Sequence, residues 1–178
     1  MNLWLSLILL LGIVSRAQAQ EPAFDEYQVK AAFLYNFAKF VEWPPGAFAN
    51  AMDPIGICLA GQNVFGSTLE EMVKDKKLGE RAFAVRRLSD TQNAGKCQIL
   101  FIGAAEWKRI RGMPEALLRQ GVLTVGETDD FTALGGIVGF KLDGAHVRIQ
   151  IAIEAAKRAN LRISSKLLSL AEIVKTQR

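Results

Sequence analysis

One histidine, two cysteines and a near balance of charge mark what this chain of 178 residues does without. Two cysteines and one histidine are too few for a structural zinc site of the usual kind. No G-x-S-x-G elbow, no P-loop and no metal-ligand cluster occurs. The single histidine, His146, stands beside Arg148 in an alternating apolar-polar run, with no serine or cysteine motif near it. It reads as a solvated strand face. Asp129 and Asp130 are adjacent acids at an expected helix start, where such residues serve as cap and dipole partner. No nucleophile–base pair results, so the chain reads as a non-enzyme with no catalytic residues, no cofactor and no metal. The 22 basic and 18 acidic residues are scattered, without the basic-aromatic array that nucleic-acid binding needs.

Long apolar runs are also scarce. The one that stands out, "LWLSLILLLGIV" at 3–14, has the length of a signal-peptide core and is short for a membrane span. "AQA" at 17–19 follows as a cleavage site, so residues 1–19 are expected to be a signal peptide and 20–178 the exported domain. The segment before the run carries no Lys or Arg, and Arg16 lies after it, which keeps a membrane-retained N-terminus open as the alternative. No cysteine follows the run, so lipoprotein processing is not suggested. Cleavage takes the 22 basic residues to 21 against 18 acidic, a net charge of +3. In an exported chain two cysteines read first as a disulfide, Cys58–Cys97; two buried free thiols are the alternative.

What the chain has in plenty is aromatics near its expected mature start. "YQVKAAFLYNFAKFVEWPP" at 27–45 holds Tyr27, Phe33, Tyr35, Phe37, Phe40 and Trp43. At 100° per residue Gln28, Asn36, Lys39 and Glu42 share one stripe, opposite Val29, Phe33, Leu34, Phe37, Phe40 and Val41. That is an amphipathic helix that packs on a sheet. Asp25 is its expected N-cap with Gln28 at N3, Phe24 and Val29 form a hydrophobic staple, and Pro44-Pro45 end it. Lys30 projects on the apolar side. A snorkelling lysine is the simpler reading; the sharper one is a semi-buried cation that holds a carboxylate or an anionic ligand.

Further along, strands are expected at 54–61, 82–88, 97–103 and 122–126, with helices at 62–77, 104–120 (broken at Gly112-Met113-Pro114) and 128–134. That alternation implies an α/β fold. "GIVGFKL" and "AHVRIQI" flank Asp143-Gly144, the mark of a two-residue type I′ hairpin. Closure there sets Phe140 opposite Val147, Val138 opposite Ile149, Lys141 opposite His146 and Gly139 opposite Arg148. A helix over 154–160 and a last amphipathic helix from Ser164 or Ser165 complete the chain. The expected architecture is one domain: a mixed, mostly parallel sheet with a C-terminal β-hairpin, flanked by helices.

Three expected parallel strands end in glycine, at Gly61, Gly103 and Gly126. Ligands of open α/β sheets lie at such carboxyl ends, where the loops present Asn63, Trp107 and Glu127 among others; a glycine that only lets strand turn into helix is the plainer reading. "LRISSK" offers Arg162 and Lys166 beside a serine-capped helix start, and Lys30 can contribute to either site. Two surfaces suit a protein partner: the outer face of the hairpin, with Lys141, His146, Arg148 and Gln150, and any part of the aromatic helix that the sheet leaves uncovered.

"YQVKAAFLYNFAKFVEWP", "CQILFIG", "GGIVGFKLDGAHVRIQI" and "LRISSKLLSLAEIV", in that order and spacing, resemble the YfiR family along essentially the whole mature chain. The resemblance implies a small periplasmic regulator of Gram-negative bacteria. In its best-understood branch such a protein represses an inner-membrane diguanylate cyclase, YfiN, through the cyclase's periplasmic part, and an outer-membrane lipoprotein, YfiB, relieves the repression. Cyclic-di-GMP and biofilm output follow. Related domains act as sensor modules, so a small-molecule-binding domain working on another signalling protein is the alternative. A second copy of the chain is a further partner to consider. Two departures matter. Some members carry another cysteine pair in the C-terminal half; this chain does not, which leaves Cys58–Cys97 as its only bridge. The F-x-I-N ending of the last hairpin strand here reads Ile149-Gln150-Ile151-Ala152, so an asparagine role there does not transfer.

Overall fold

In a computed structural model the described residues are 25–89 and 91–176. The expected leader and Phe24 of the expected staple lie outside them. In chain order the elements are α1 (Glu26–Phe40), β1 (Val41–Glu42), β2 (Ile55–Ala60), α2 (Thr68–Val73), β3 (Lys77–Leu78), β4 (Arg81–Leu88), β5 (Ile99–Ile102), α3 (Ala104–Ile110), β6 (Leu123–Gly126), β7 (Val138–Asp143), β8 (His146–Ala152), α4 (Ile153–Arg158), β9 (Arg162–Ile163), α5 (Ser165–Leu168) and β10 (Glu172–Val174). Ala94–Lys96 and Glu115–Arg119 form 3-10 turns.

Eight strands form one sheet in the order β10-β8-β7-β6-β5-β2-β4-β3. Only β7 with β8 and β3 with β4 run antiparallel. The sheet is therefore mixed and mostly parallel, as the alternation implied. β2, β5 and β6 are buried along their whole length, which is why they read as unbroken apolar runs. On one face Ile57, Leu59, Phe101, Val125, Phe140 and Ile149 pack with Leu34 and Phe37 of α1. On the other, Cys58, Ala60, Leu100 and Ile102 pack with Trp107, Leu117 and Phe131.

The aromatic helix starts as expected: the Gln28 amide donates to Asp25 Oδ1 at 3.1 Å. It ends earlier than the prolines require. Val41 turns extended (φ −117°, ψ 132°), and β1 pairs antiparallel with β9. Glu42 thus leaves the helical stripe for a strand, facing Arg162. The β-branched Val41 and the pairing with Ile163 win over one more helical turn.

Four more expectations give way. The helix over 62–77 shrinks to α2; Asp75 takes a left-handed φ of +58°, and Lys77–Leu78 fold back on Arg81–Ala82 as an edge hairpin. Residues 128–134 form successive turns rather than a helix. Their packing is fixed by Phe131, whose ring lies where a Cβ on either Gly126 or Gly136 would sit, 2.2 Å away in each case. Gly126 is thus required by a ring, not by the strand-to-helix turn. The central hairpin closes one residue later than expected, around Gly144-Ala145, which shifts the pairing by two, so Phe140 faces Ile149 and Lys141 faces Arg148. Gly144 takes φ +59° while Asp143 stays in the strand and accepts from Arg148 Nε at 2.6 Å; a positive φ at the first loop position alone suits a type II′ turn. A shift of two keeps every side chain on its face. Last, the C-terminal helix is a single turn, α5, capped by Ser164 Oγ accepting from the Leu167 amide. Beyond it Ile173 and Val174 join the free edge of β8 in parallel, Ile173 opposite Ile151. A sheet edge offers main-chain partners that a surface helix does not.

Cys58 and Cys97 form a disulfide, Cα–Cα 5.9 Å, both sulfurs buried. The bond ties the centre of β2 to the entry of β5, across 39 residues. A loop of that length is worth about 4 kcal/mol in the chain-entropy account. A Cys58→Ala/Cys97→Ala variant should lose about 2–4 kcal/mol of unfolding free energy in urea titration; an unchanged midpoint would contradict a stabilising role.

Candidate functional site

The carboxyl end of β6 is where the two layers meet. Glu127, the first residue past Gly126, reaches both of them. Its Oε2 accepts from Lys30 Nζ at 2.6 Å and from the Tyr27 hydroxyl at 3.4 Å, both on α1. Its Oε1 accepts from the Ala104 amide, at the start of α3, at 3.3 Å. Lys30 also pairs with Glu26 one turn back on α1 and lies over the Tyr27 ring, 4.7 Å from its centroid. Lys30 is only 2 % exposed. It does not snorkel; it is the semi-buried cation of the sharper reading, and what it holds is a pair of carboxylates.

The electrostatics follow. Burial alone depresses a lysine pKa, but the hydrogen bonds to Glu127 and Glu26 outweigh it, and the Lys30 pKa is raised. Burial and the Glu127 charge raise that of Tyr27. One cation shared by two carboxylates has no charge left for an anionic ligand.

Beside this cluster, on the opposite face of the sheet, Trp107 Nε1 donates to Asp130 Oδ1 at 2.9 Å, and Thr128 Oγ1 donates to the same oxygen at 2.7 Å. The Trp107 ring lies 4.6 Å from that of Phe131. The structure therefore places Lys30, Glu127 and Trp107 at one end of the sheet. It sets the other expected ligand residues elsewhere. Asn63, past β2, accepts from Arg87 at 3.5 Å. Arg162 is exposed in β9 beside Glu42, 3.6 Å away, and Lys166 is exposed on α5. That helix is a single turn, and its serine serves its own Leu167 amide. The three strand-end glycines differ in cause: Gly61 has φ +101° with its Cβ position 3.0 Å from Glu106 Cβ, Gly103 is a helix N-cap, and Gly126 makes room for Phe131.

The hairpin face is a real surface. Lys141, His146 and Arg148 are exposed, and Gln150 is half-buried. Lys141 lies 3.8 Å from Asp129, Arg148 2.6 Å from Asp143, and Gln150 donates to Glu172 at 2.8 Å. Exposed pairs of this kind contribute little and break readily for a partner.

A second surface escaped the sequence reading. A groove of about 900 Å³ runs between α4, β10 and the segment around Met113, with Leu118, Leu134, Ile153, Ile173 and Val174 in its walls and Lys157, Arg158 and Lys175 around it. Leu134 is 45 % and Ile173 49 % exposed. Among the described residues β10 pairs only with β8, which leaves its other edge without a strand partner along the groove. The signal was the β-branched pair Ile173-Val174, which sits poorly in a terminal surface helix.

Residues 27–172, which take in α1 from its second residue, Lys30, Glu127 and the hairpin, match the family model described as YfiR/HmsC-like. No curated protein matches the chain.

The Glu127 cluster yields a stability test. Lys30→Met leaves the partly buried Glu127 without its cation and should cost about 3 kcal/mol in urea unfolding. Adding Glu127→Leu should recover part of that loss, so the two changes are strongly non-additive. Because folding raises the Lys30 pKa, the coupling should be complete below 10.5 and vanish only as pH climbs through the raised value. Additive losses, or a coupling that fades between about pH 7 and 9, would contradict the assignment.

Proposed function

The chain belongs to the YfiR/HmsC-like family, and from that premise we propose that it is a periplasmic regulatory protein. It binds and represses the periplasmic part of an inner-membrane diguanylate cyclase of the YfiN kind, and so tunes cyclic-di-GMP signalling and biofilm formation. The match over residues 27–172 carries this reading. The surfaces support it. An apolar groove beside a free strand edge suits an extended or hydrophobic segment of a partner. Lys157 at that groove is paired with Glu154, and the remaining cations, Arg158 and Lys175, favour a partner with acidic flanks. The hairpin face of Lys141, His146, Arg148 and Gln150 offers a second, polar contact area. Repression is a population shift: the regulator binds the inactive arrangement of the cyclase more tightly than the active one, and a near-complete shift requires about 5.5 kcal/mol of differential affinity. A YfiB-like lipoprotein that competes for these surfaces would release the cyclase, and a second copy of the chain is a further candidate for them.

The second reading, a small-molecule sensor acting on another signalling protein, is supported by the pocket beside Trp107.

Calorimetry with the periplasmic domain of the cognate cyclase tests the first reading. The native protein should bind at micromolar concentration or below, and Leu134→Glu/Ile173→Glu should weaken binding by about tenfold or more, since both side chains are half-exposed in the groove. Lys141→Glu/Arg148→Glu should act mainly on the association rate and its salt dependence. No binding of the native protein would sink the reading.

A further inference from the structure

A pocket of about 320 Å³ opens at the carboxyl ends of β5 and β6, lined by Trp107, Lys108, Arg111, Thr128, Asp130 and Leu134. Its size falls at the lower end of small-molecule sites. The Asp130 carboxylate is fixed there: Trp107 Nε1 and Thr128 Oγ1 both donate to Oδ1, which leaves Oδ2 clear of these two donors. The Thr128 hydroxyl, against a small burial penalty and helped by the Trp107 indole, holds its pKa below the usual carboxylate range. Lys108 and Arg111, on the same lining, are exposed and within salt-bridge distance of no carboxylate among the described residues, although the Lys108 charge helps to lower the Asp130 pKa. Trp107, 2 % exposed, and the half-exposed Leu134 give the pocket an apolar side.

A plain anion would meet the Asp130 charge, and a plain cation would meet two positive groups. A molecule carrying both signs on a short apolar body meets neither penalty. We propose that this pocket binds a small zwitterion of the α-amino-acid class. Its ammonium group donates to Asp130 Oδ2, its carboxylate lies between Lys108 and Arg111, and its apolar part rests on Trp107 and Leu134. Such pairing is charge-assisted at both ends. The inference stands whether or not the protein represses a cyclase.

The Trp107 indole N–H, bonded to Asp130, is a reporter inside the site. Its ¹H–¹⁵N resonance should be followed on the whole protein titrated with L-alanine and L-leucine. The controls are L-leucinamide, which lacks the carboxylate, and N-acetyl-L-leucine, which lacks the ammonium. The expected result is a saturable shift with the free amino acids and none with either control at ten times the concentration. Lys108→Gln/Arg111→Gln should abolish the shift while the unliganded indole resonance stays in place, which shows the fold and the Asp130 bond intact. No shift with either amino acid, equal shifts with all probes, or an undiminished response in the double variant would overturn the proposal.

Discussion

The carboxylate of Glu127 is the constraint around which the rest is arranged. A sheet with strands buried on both faces needs two covering layers, and these layers have no direct way to sense each other through it. Glu127 lies at the strand end where they converge, taking hydrogen bonds from Lys30 and Tyr27 of α1 and from the first amide of α3. The cost of burying Lys30 is offset only because two carboxylates and an aromatic ring surround it. That requirement sets the azimuth of α1, and with it the seating of Phe33 and Phe37 on Phe140. The aromatic stretch is thus mainly core, and its one charge is a fastening rather than a ligand site.

Much of this was legible in the sequence. Period 3.6 with an Asp cap marked α1, and unbroken apolar runs ending in glycine marked β2, β5 and β6. Two cysteines in a chain read as exported marked the disulfide. The faces of the hairpin were right although its register was two residues off, since side-chain period in a strand is 2. What failed were segments whose state is decided by tertiary partners. Val41–Glu42 and Glu172–Val174 become strands because free main-chain groups lie beside them. Residues 128–134 become turns because the Phe131 ring must fit between Gly126 and Gly136. The Lys30–Glu127 bond spans 97 residues, and no local pattern announces such a pair. The apolar groove was invisible for the same reason: its walls come from segments distant in the chain, and one of them was read as helix.

On the proposed function, the protein contacts and the small-molecule contact would fall on neighbouring parts of the molecule. The hairpin and the groove flank the β8–β10 edge, where a partner can add contacts without disturbing the buried sheet. The Trp107 pocket sits at the strand ends, close to Glu127 in sequence and joined to the groove through Leu134, which lines both. A ligand in the pocket would rest against the wall of the groove. On the proposed function, this arrangement gives a physical route by which one regulator could both hold a partner and respond to its surroundings.

The measurement that tests this account most directly is amide hydrogen exchange of a Glu127→Gln variant compared with the native protein. If Glu127 joins the layers, protection should fall together in α1, around Lys30, and at the Ala104 amide on α3, while β2 and β5 keep theirs. Loss confined to one layer, or unchanged protection in both, would show that the layers are held independently and that the central constraint lies elsewhere.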